Sequence, residues 1–127
     1  MMVNGGEDLQ NLPLHPLIQP ERGVDVVFAV DFSADTLEEN GDLNWPNGTV
    51  MIATYQRSLL PITNSTSFPQ NPDANTFVNL SLNNKPTWFG CNLDDTESPS
   101  PLIVYLSDAP YAYMSNVSTF QMVYSTL

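Results

Sequence analysis

Two segments of the chain are almost unbroken runs of apolar and β-branched residues. The first is Val24-Asp25-Val26-Val27-Phe28-Ala29-Val30-Asp31. The second is Leu102-Ile103-Val104-Tyr105-Leu106, opened by Pro99 and Pro101 and closed by Asp108 and Pro110. A strand with one wet face alternates apolar and polar positions; a run without alternation predicts a strand covered on both faces, as at the centre of an α/β sheet. Between the runs, Met51, Ile52, Tyr55 and Leu59 recur at spacings of three and four, which predicts a helix over about 49–60 with one apolar stripe. Asn47 and Gly48 stand at its N-terminal cap and Pro61 stops it. Strand, helix, strand is the order of a layered α/β fold. Residues before position 20 are broken by Pro13, Pro16 and Pro20, and residues 63–73 read as loop. Thr76 to Leu82 reads as a short helix and Val117 to Tyr124 as a last strand. No internal repeat stands out. Strands covered on both faces need two layers of neighbours, and these elements supply few, so further layers are expected from sequence outside this chain.

Composition narrows the classes. The chain has 127 residues, 42% of them hydrophobic, enough for one domain or one piece of a larger domain. Three basic residues (Arg22, Arg57 and Lys85) against fourteen acidic ones give a formal net charge of −11. Phosphate binding needs clusters of Lys and Arg, so no nucleic acid and no anionic membrane is expected as a charge-driven partner. No apolar run approaches the roughly 20 residues of a transmembrane segment. Met1 to Asp8 has no basic region followed by an apolar stretch, so no signal peptide is visible in this chain. Cys91 is alone, which excludes an intrachain disulfide and a Cys-x-x-Cys motif. Four Asn-x-Ser/Thr sequons, at Asn47, Asn64, Asn79 and Asn116, exceed the roughly two expected by chance and favour a glycosylated protein of the secretory pathway.

Most catalytic signatures are absent. The glycines at 5, 6, 23, 41, 48 and 90 never take the spacing of a Gly-x-Ser-x-Gly elbow, a dinucleotide loop or a phosphate loop. His15 is the single histidine, so there is no two-His metal site, and we read His15 as a surface or packing residue. Asp31, Ser33, Asp35, Glu39 and Asp42 have the oxygen-ligand spacing of a calcium loop. Thr36 stands where that loop needs Gly, and a strand precedes it instead of a helix; a solvated acidic loop is the plainer reading, and no metal is assigned. Asn4-Gly5-Gly6-Glu7-Asp8 puts two glycines side by side, which suits a tight turn or a close approach by another backbone or a ligand.

That stretch gains meaning from its C-terminal neighbours. Gly5-Gly6-Glu7-Asp8-Leu9-Gln10-Asn11-Leu12-Pro13-Leu14, Pro16-Leu17-Ile18-Gln19-Pro20-Glu21-Arg22, the run 24–31 and Ser33-Ala34-Asp35 together resemble the fungal lysophospholipase (phospholipase B) family, which belongs with the cytosolic phospholipase A2 catalytic domains. The similarity continues through Asn44-Trp45-Pro46-Asn47-Gly48-Thr49, Asn75-Thr76-Phe77-Val78-Asn79-Leu80, Asn83 to Asn92 and Asn116-Val117-Ser118-Thr119-Phe120-Gln121. It spans nearly the whole chain in order.

The resemblance implies a piece, residues 1–127 with no second domain, from the C-terminal portion of a phospholipase A2-like catalytic domain. It implies a secreted or cell-surface, glycosylated carboxylic ester hydrolase that deacylates lysophospholipids and phospholipids. Such enzymes use a Ser-Asp dyad without histidine or cofactor. The serine sits on a Gly-x-Ser-Gly-Gly elbow, a Gly-rich loop and an arginine stabilise the oxyanion, and the aspartate opens an Asp-Gly-Gly motif. This chain carries neither elbow nor oxyanion loop, and the Asp-Gly-Gly position reads Asn4-Gly5-Gly6. An amide has no lone pair basic enough for general-base work. In a serine protease triad the same Asp-to-Asn exchange lowers turnover by roughly 10⁴. The chain alone is therefore expected to be inactive. Two other readings stay open at this level: a non-enzymatic secreted glycoprotein or binding module that presents Trp45, Trp88, Tyr111 and Tyr113, and the calcium loop.

Overall fold

A computed structural model describes residues 5–35, 45–63, 66–91 and 100–110. Its elements in chain order are β1 (Val26–Asp31), α1 (Thr49–Ser58), α2 (Ala74–Asn79), β2 (Thr87–Phe89) and β3 (Leu102–Ser107), with 3-10 turns at Gly5–Asp8, Pro20–Arg22 and Pro61–Thr63. Both apolar runs are strands, and they lie side by side. β1 and β3 pair in parallel, Val26 against Leu102 through to Asp31 against Ser107. β2 adds to the far edge of β3 in antiparallel register, giving the order β1-β3-β2. Parallel neighbours need a crossover connection, and α1, α2 and β2 all lie within it. The described residues form a small mixed α/β unit. The strand expected at Val117 to Tyr124 lies outside them.

The strand expected to be covered on both faces is covered on one. Along β1 exposure and burial alternate strictly: Val27 and Ala29 are buried, while Val26, Phe28 and Val30 are exposed. The register sorts the sheet into two apolar faces. One carries Val27, Ile103 and Phe89 in one row and Ala29, Tyr105 and Thr87 in the next; all of these are buried. The other carries Val26 beside Leu102, Phe28 beside Val104 and Trp88, and Val30 beside Leu106. No alternation shows in the sequence because both faces are apolar, which the composition reported correctly. What it could not report is that these residues cover only one face.

The covered face meets a core of Leu14, Ile18, Val50, Met51, Phe68 and Phe77. Phe77 is its centre: its ring stacks on Phe89 with centroids 5.9 Å apart and meets Tyr105 edge-on at 5.8 Å. Replacing such a buried ring by Ala costs about 3–5 kcal/mol.

The helices differ in detail from expectation. The buried stripe of α1 is Val50, Met51 and Thr54, with Ile52 and Tyr55 only half-buried and Leu59 exposed beyond the helix end. Thr54 is tolerated in the core because its Oγ1 donates to Val50 O at 2.8 Å, one turn back. The helix begins where Asn47 and Gly48 predicted. Gly48 is the N-cap with φ +87°, and Asn47 Oδ1 accepts from Thr49 N at 2.9 Å. A Cβ on Gly48 would lie 2.4 Å from the Phe77 ring, so both the backbone angle and the packing require glycine. α2 starts two residues earlier than the apolar pattern suggested. Its N-cap is Asp73, whose carboxylate accepts from Thr76 N at 3.1 Å and Thr76 Oγ1 at 2.8 Å. β2 went unpredicted because three residues show no period.

Candidate active site

In open parallel sheets, ligand sites form beyond the carboxyl ends of the strands. Here that end carries Asp31 and Ser107, which are register partners, and the segment Phe32 to Asp35 that comes after β1. Asp31 is buried. Its Oδ1 accepts from Ser33 N at 2.9 Å and its Oδ2 from Tyr105 Oη at 2.8 Å. Both carboxylate oxygens therefore hold the fold, fixing the chain as it leaves the sheet. Burial and the Asp31 charge push the Tyr105 phenol far above its ordinary range, which keeps it a hydrogen-bond donor at any physiological pH.

The residues after the Gly5-Gly6 turn are joined to the segment beyond this end of the sheet. Gly5–Asp8 forms a 3-10 turn closed by Gln10 N donating to Gly5 O at 2.8 Å and Leu9 N donating to Gly6 O at 3.2 Å. The need for glycine at position 5 is steric. A Cβ there would lie 2.7 Å from Gln10 O. The left-handed angle in this stretch falls on Leu9, at φ +55°. Three contacts anchor the turn. Asn11 Nδ2 donates to Ser33 Oγ at 3.1 Å, so the residues after the turn join the segment beyond β1. Thr54 Oγ1 lies 3.4 Å from Gln10 Oε1, and Arg57 forms an ion pair with Asp8; both tie the turn to α1. Gln10 Nε2 is buried without a partner among the described residues.

Asp35 stands at the same end, half-buried. Its carboxyl is pushed above the ordinary Asp range, chiefly by burial and further by the charge of Asp31; the Asn47 backbone N–H, 3.4 Å from Asp35 Oδ2, opposes the shift. Ser107 Oγ donates to Asn83 O, and Asn83 Nδ2 donates to Pro46 O at 3.0 Å. The carboxyl end of the sheet is thus enclosed by polar contacts from four separated segments.

Among the expected site residues, Gly5 and Gly6 lie in this turn, and Asn4 lies outside the described residues. So do Glu39 and Asp42 of the calcium-loop spacing; among the described residues no three His, Cys, Asp or Glu side chains cluster in a way that could hold a metal ion. Of the sequons, Asn79 is exposed at the end of α2 and Asn47 is half-buried; Asn64 and Asn116 lie outside the described residues. His15 packs with Gln19, its Nε2 3.2 Å from Gln19 Nε2, and burial with nearby Arg57 lowers its pKa. Cys91 is a free, exposed thiol. Among the described residues no helix is long and apolar enough to cross a membrane. Sequence reading missed Gln10, Asn11 and Tyr105 as anchors of the site. The parity of Asp31 with Val27 and Ala29 was available, but its pairing with Tyr105 needed the register.

Comparison with known proteins gives the chain a family. Residues 1–127 match the lysophospholipase catalytic domain, and the chain belongs to that family. It is 63% identical to Lysophospholipase 1 of Aspergillus fumigatus over 126 residues, which is 98% of this chain and 19% of that protein. It is 59% identical to a lysophospholipase of Penicillium chrysogenum over 123 residues, 95% of this chain and 19% of that one. Lysophospholipase 3 of Saccharomyces cerevisiae is 50% identical over 127 residues, 98% of this chain and 18% of the yeast protein. The chain therefore spans about a fifth of the length of the curated relatives it matches. No solved structure matches the chain at a significant level.

Proposed function

We propose that this chain is the part of a lysophospholipase-type carboxylic ester hydrolase that carries the position of the catalytic acid. The observation that supports it most directly is the Asn11–Ser33 hydrogen bond. It draws the residues after the Gly5-Gly6 turn to the carboxyl end of β1, where a nucleophile from the rest of a layered, phospholipase A2-like domain would have to approach. In the complete domain the substrate is a lysophospholipid or phospholipid. A serine attacks the acyl carbon while the acid position takes its proton and passes it to the departing glycerol oxygen as the ester bond breaks; water, giving a proton to the same position, then cleaves the acyl-serine, releasing the fatty acid and returning the proton to serine. Position 4 is Asn in this chain, which leaves the serine without a base, and the serine itself belongs to another part of the domain. The chain alone is inactive on this reading. The sequons support a secreted or cell-surface, glycosylated protein.

The test is a chimera: Lysophospholipase 1 of Aspergillus fumigatus with this chain in place of its matching 126 residues. Fatty-acid release from lysophosphatidylcholine is expected to be undetectable for the 127-residue chain. It is expected to be about 10³–10⁴-fold lower for the chimera than for the same chimera with Asn4→Asp. Equal activity of the two chimeras would remove the acid-position assignment.

A further inference from the structure

The chain contains the Asn-Gly pairs Asn4-Gly5, Asn40-Gly41 and Asn47-Gly48. In such a pair the glycine nitrogen can attack the Asn side-chain carbonyl, because no Cβ shields it. Asn40-Gly41 lies outside the described residues. The structure treats the glycines of the other two pairs in opposite ways. Gly48 is buried, and its O accepts from Met51 N at 3.0 Å and Ile52 N at 3.2 Å. Asn47 Oδ1 accepts from Thr49 N and Thr49 Oγ1, and Asn47 N donates to Asp35 Oδ2 at 3.4 Å. Both residues of that pair are thus clamped at the start of α1. Gly5, by contrast, is exposed. It opens its 3-10 turn, so its N–H has no earlier carbonyl of the turn to bind. Its O accepts from Gln10 N, and a Cβ on it would lie 2.7 Å from Gln10 O. The fold therefore requires at position 5 the one residue that leaves the nitrogen after Asn4 unshielded.

We propose that Asn4 is a modification site: it deamidates in the folded protein and becomes the aspartate of the acid position, so that the encoded amide is the inactive form of the site. Gly5 N bonds to Asn4 Cγ, and its proton leaves with the amide nitrogen as ammonia, closing a succinimide. Water then breaks the new N–Cγ bond, which gives aspartate with the normal backbone, or the original peptide bond, which gives isoaspartate. The net reaction turns an amide and water into a carboxylate and ammonium, with no oxidation or reduction. The consequence for turnover rests on the acid-position reading; the modification itself does not.

Ageing the protein tests this. The Aspergillus chimera described above, freshly purified, is held at mildly alkaline pH, both folded and in urea. Each Asn-Gly peptide is followed by mass, with fragmentation that separates aspartate from isoaspartate. Asn4 is expected to convert in the folded protein at least about tenfold faster than Asn47, whose hydrogen bonds must open first, and the two rates are expected to converge in urea. Fatty-acid release is expected to rise as aspartate accumulates at position 4. It is expected not to rise in Asn4→Gln, whose longer side chain closes such a ring far more slowly. An Asn4 that stays intact in the folded protein, equal rates at Asn4 and Asn47 before unfolding, or isoaspartate as the sole product overturns the proposal. So does an aged chimera that holds aspartate at position 4 but stays inactive while the encoded Asn4→Asp chimera is active. If Asn4 converts as expected and neither the aged nor the encoded aspartate supports turnover, the hydrolase reading falls and the deamidation site stands.

Discussion

Tyr105 Oη donates a 2.8 Å hydrogen bond to Oδ2 of Asp31 across 74 positions of sequence. The two residues lie on adjacent parallel strands, and both are almost wholly buried. Tyr105 is also the edge-on partner of Phe77, so one side chain joins the aromatic core to the polar end of the sheet. Removing its hydroxyl leaves a buried carboxylate oxygen without that donor. Tyr105→Phe is expected to cost about 1–3 kcal/mol of stability, read from the midpoint of urea unfolding, with the circular dichroism of the folded state unchanged. A midpoint equal to that of the parent chain would mean that water replaces the hydroxyl.

Two glycines with left-handed backbone separate angle from packing. Gly48 has φ +87° and would place a Cβ 2.4 Å from the Phe77 ring, whereas Gly23 has φ +58° and open space around it. Gly23→Ala is expected to cost about 1 kcal/mol, the strain of the backbone alone. Gly48→Ala adds displacement of a fully buried ring and is expected to cost about 2–4 kcal/mol. Parallel urea titrations of the two variants check the order, and the reverse order would contradict the Gly48–Phe77 contact.

Asp35 makes the chain respond to pH. Burial raises its carboxyl pKa in the folded state, so the folded state holds the proton more tightly than the unfolded chain does. Stability from this group is therefore fully present below the ordinary Asp value near 4 and falls as pH rises through the raised folded value. Asp35→Asn removes the loss. The variant is expected to gain stability relative to the parent chain as pH increases from about 4 to neutrality. The difference between the two unfolding curves, measured at several pH values, isolates this group from the other acids. A difference that does not change with pH would refute the assignment.

Glycan placement checks the secretory reading. Asn79 is exposed at the end of α2, while Asn47 is half-buried and its Oδ1 is engaged by Thr49. Expressed through a eukaryotic secretory pathway, the chain is expected to carry glycan at Asn79, seen as a mass shift of its peptide that glycosidase removes and Asn79→Gln abolishes. An unmodified Asn79 in secreted protein would count against this reading.

The two apolar runs and the helix between them were legible in the sequence because each rests on local spacing and local punctuation. Asn47-Gly48 before α1 and Pro99, Pro101 and Asp108 around β3 set those boundaries within a residue or two. The family was legible for a similar reason: it is carried by short motifs in a fixed order, beginning with Gly5-Gly6 and ending near Phe120. The stripe of α1 was misplaced because Thr54 counts as polar until its hydroxyl is seen returning to Val50 O. Asp73 was missed as a cap because the apolar pattern of α2 begins only at Phe77.

By itself, then, the chain determined that the two apolar runs are strands with a helix between them, and that those strands are apolar on both sides; each stems from the chemistry of neighbouring residues. Tertiary structure decided what lies beside what. The parallel register that brings Tyr105 to Asp31, the hydrogen bond that holds Asn11 to Ser33, and the burial of Val27 with exposure of Phe28 all depend on contacts between distant segments. Such contacts leave no mark in local spacing, because any partner of suitable size and polarity would satisfy the same pattern.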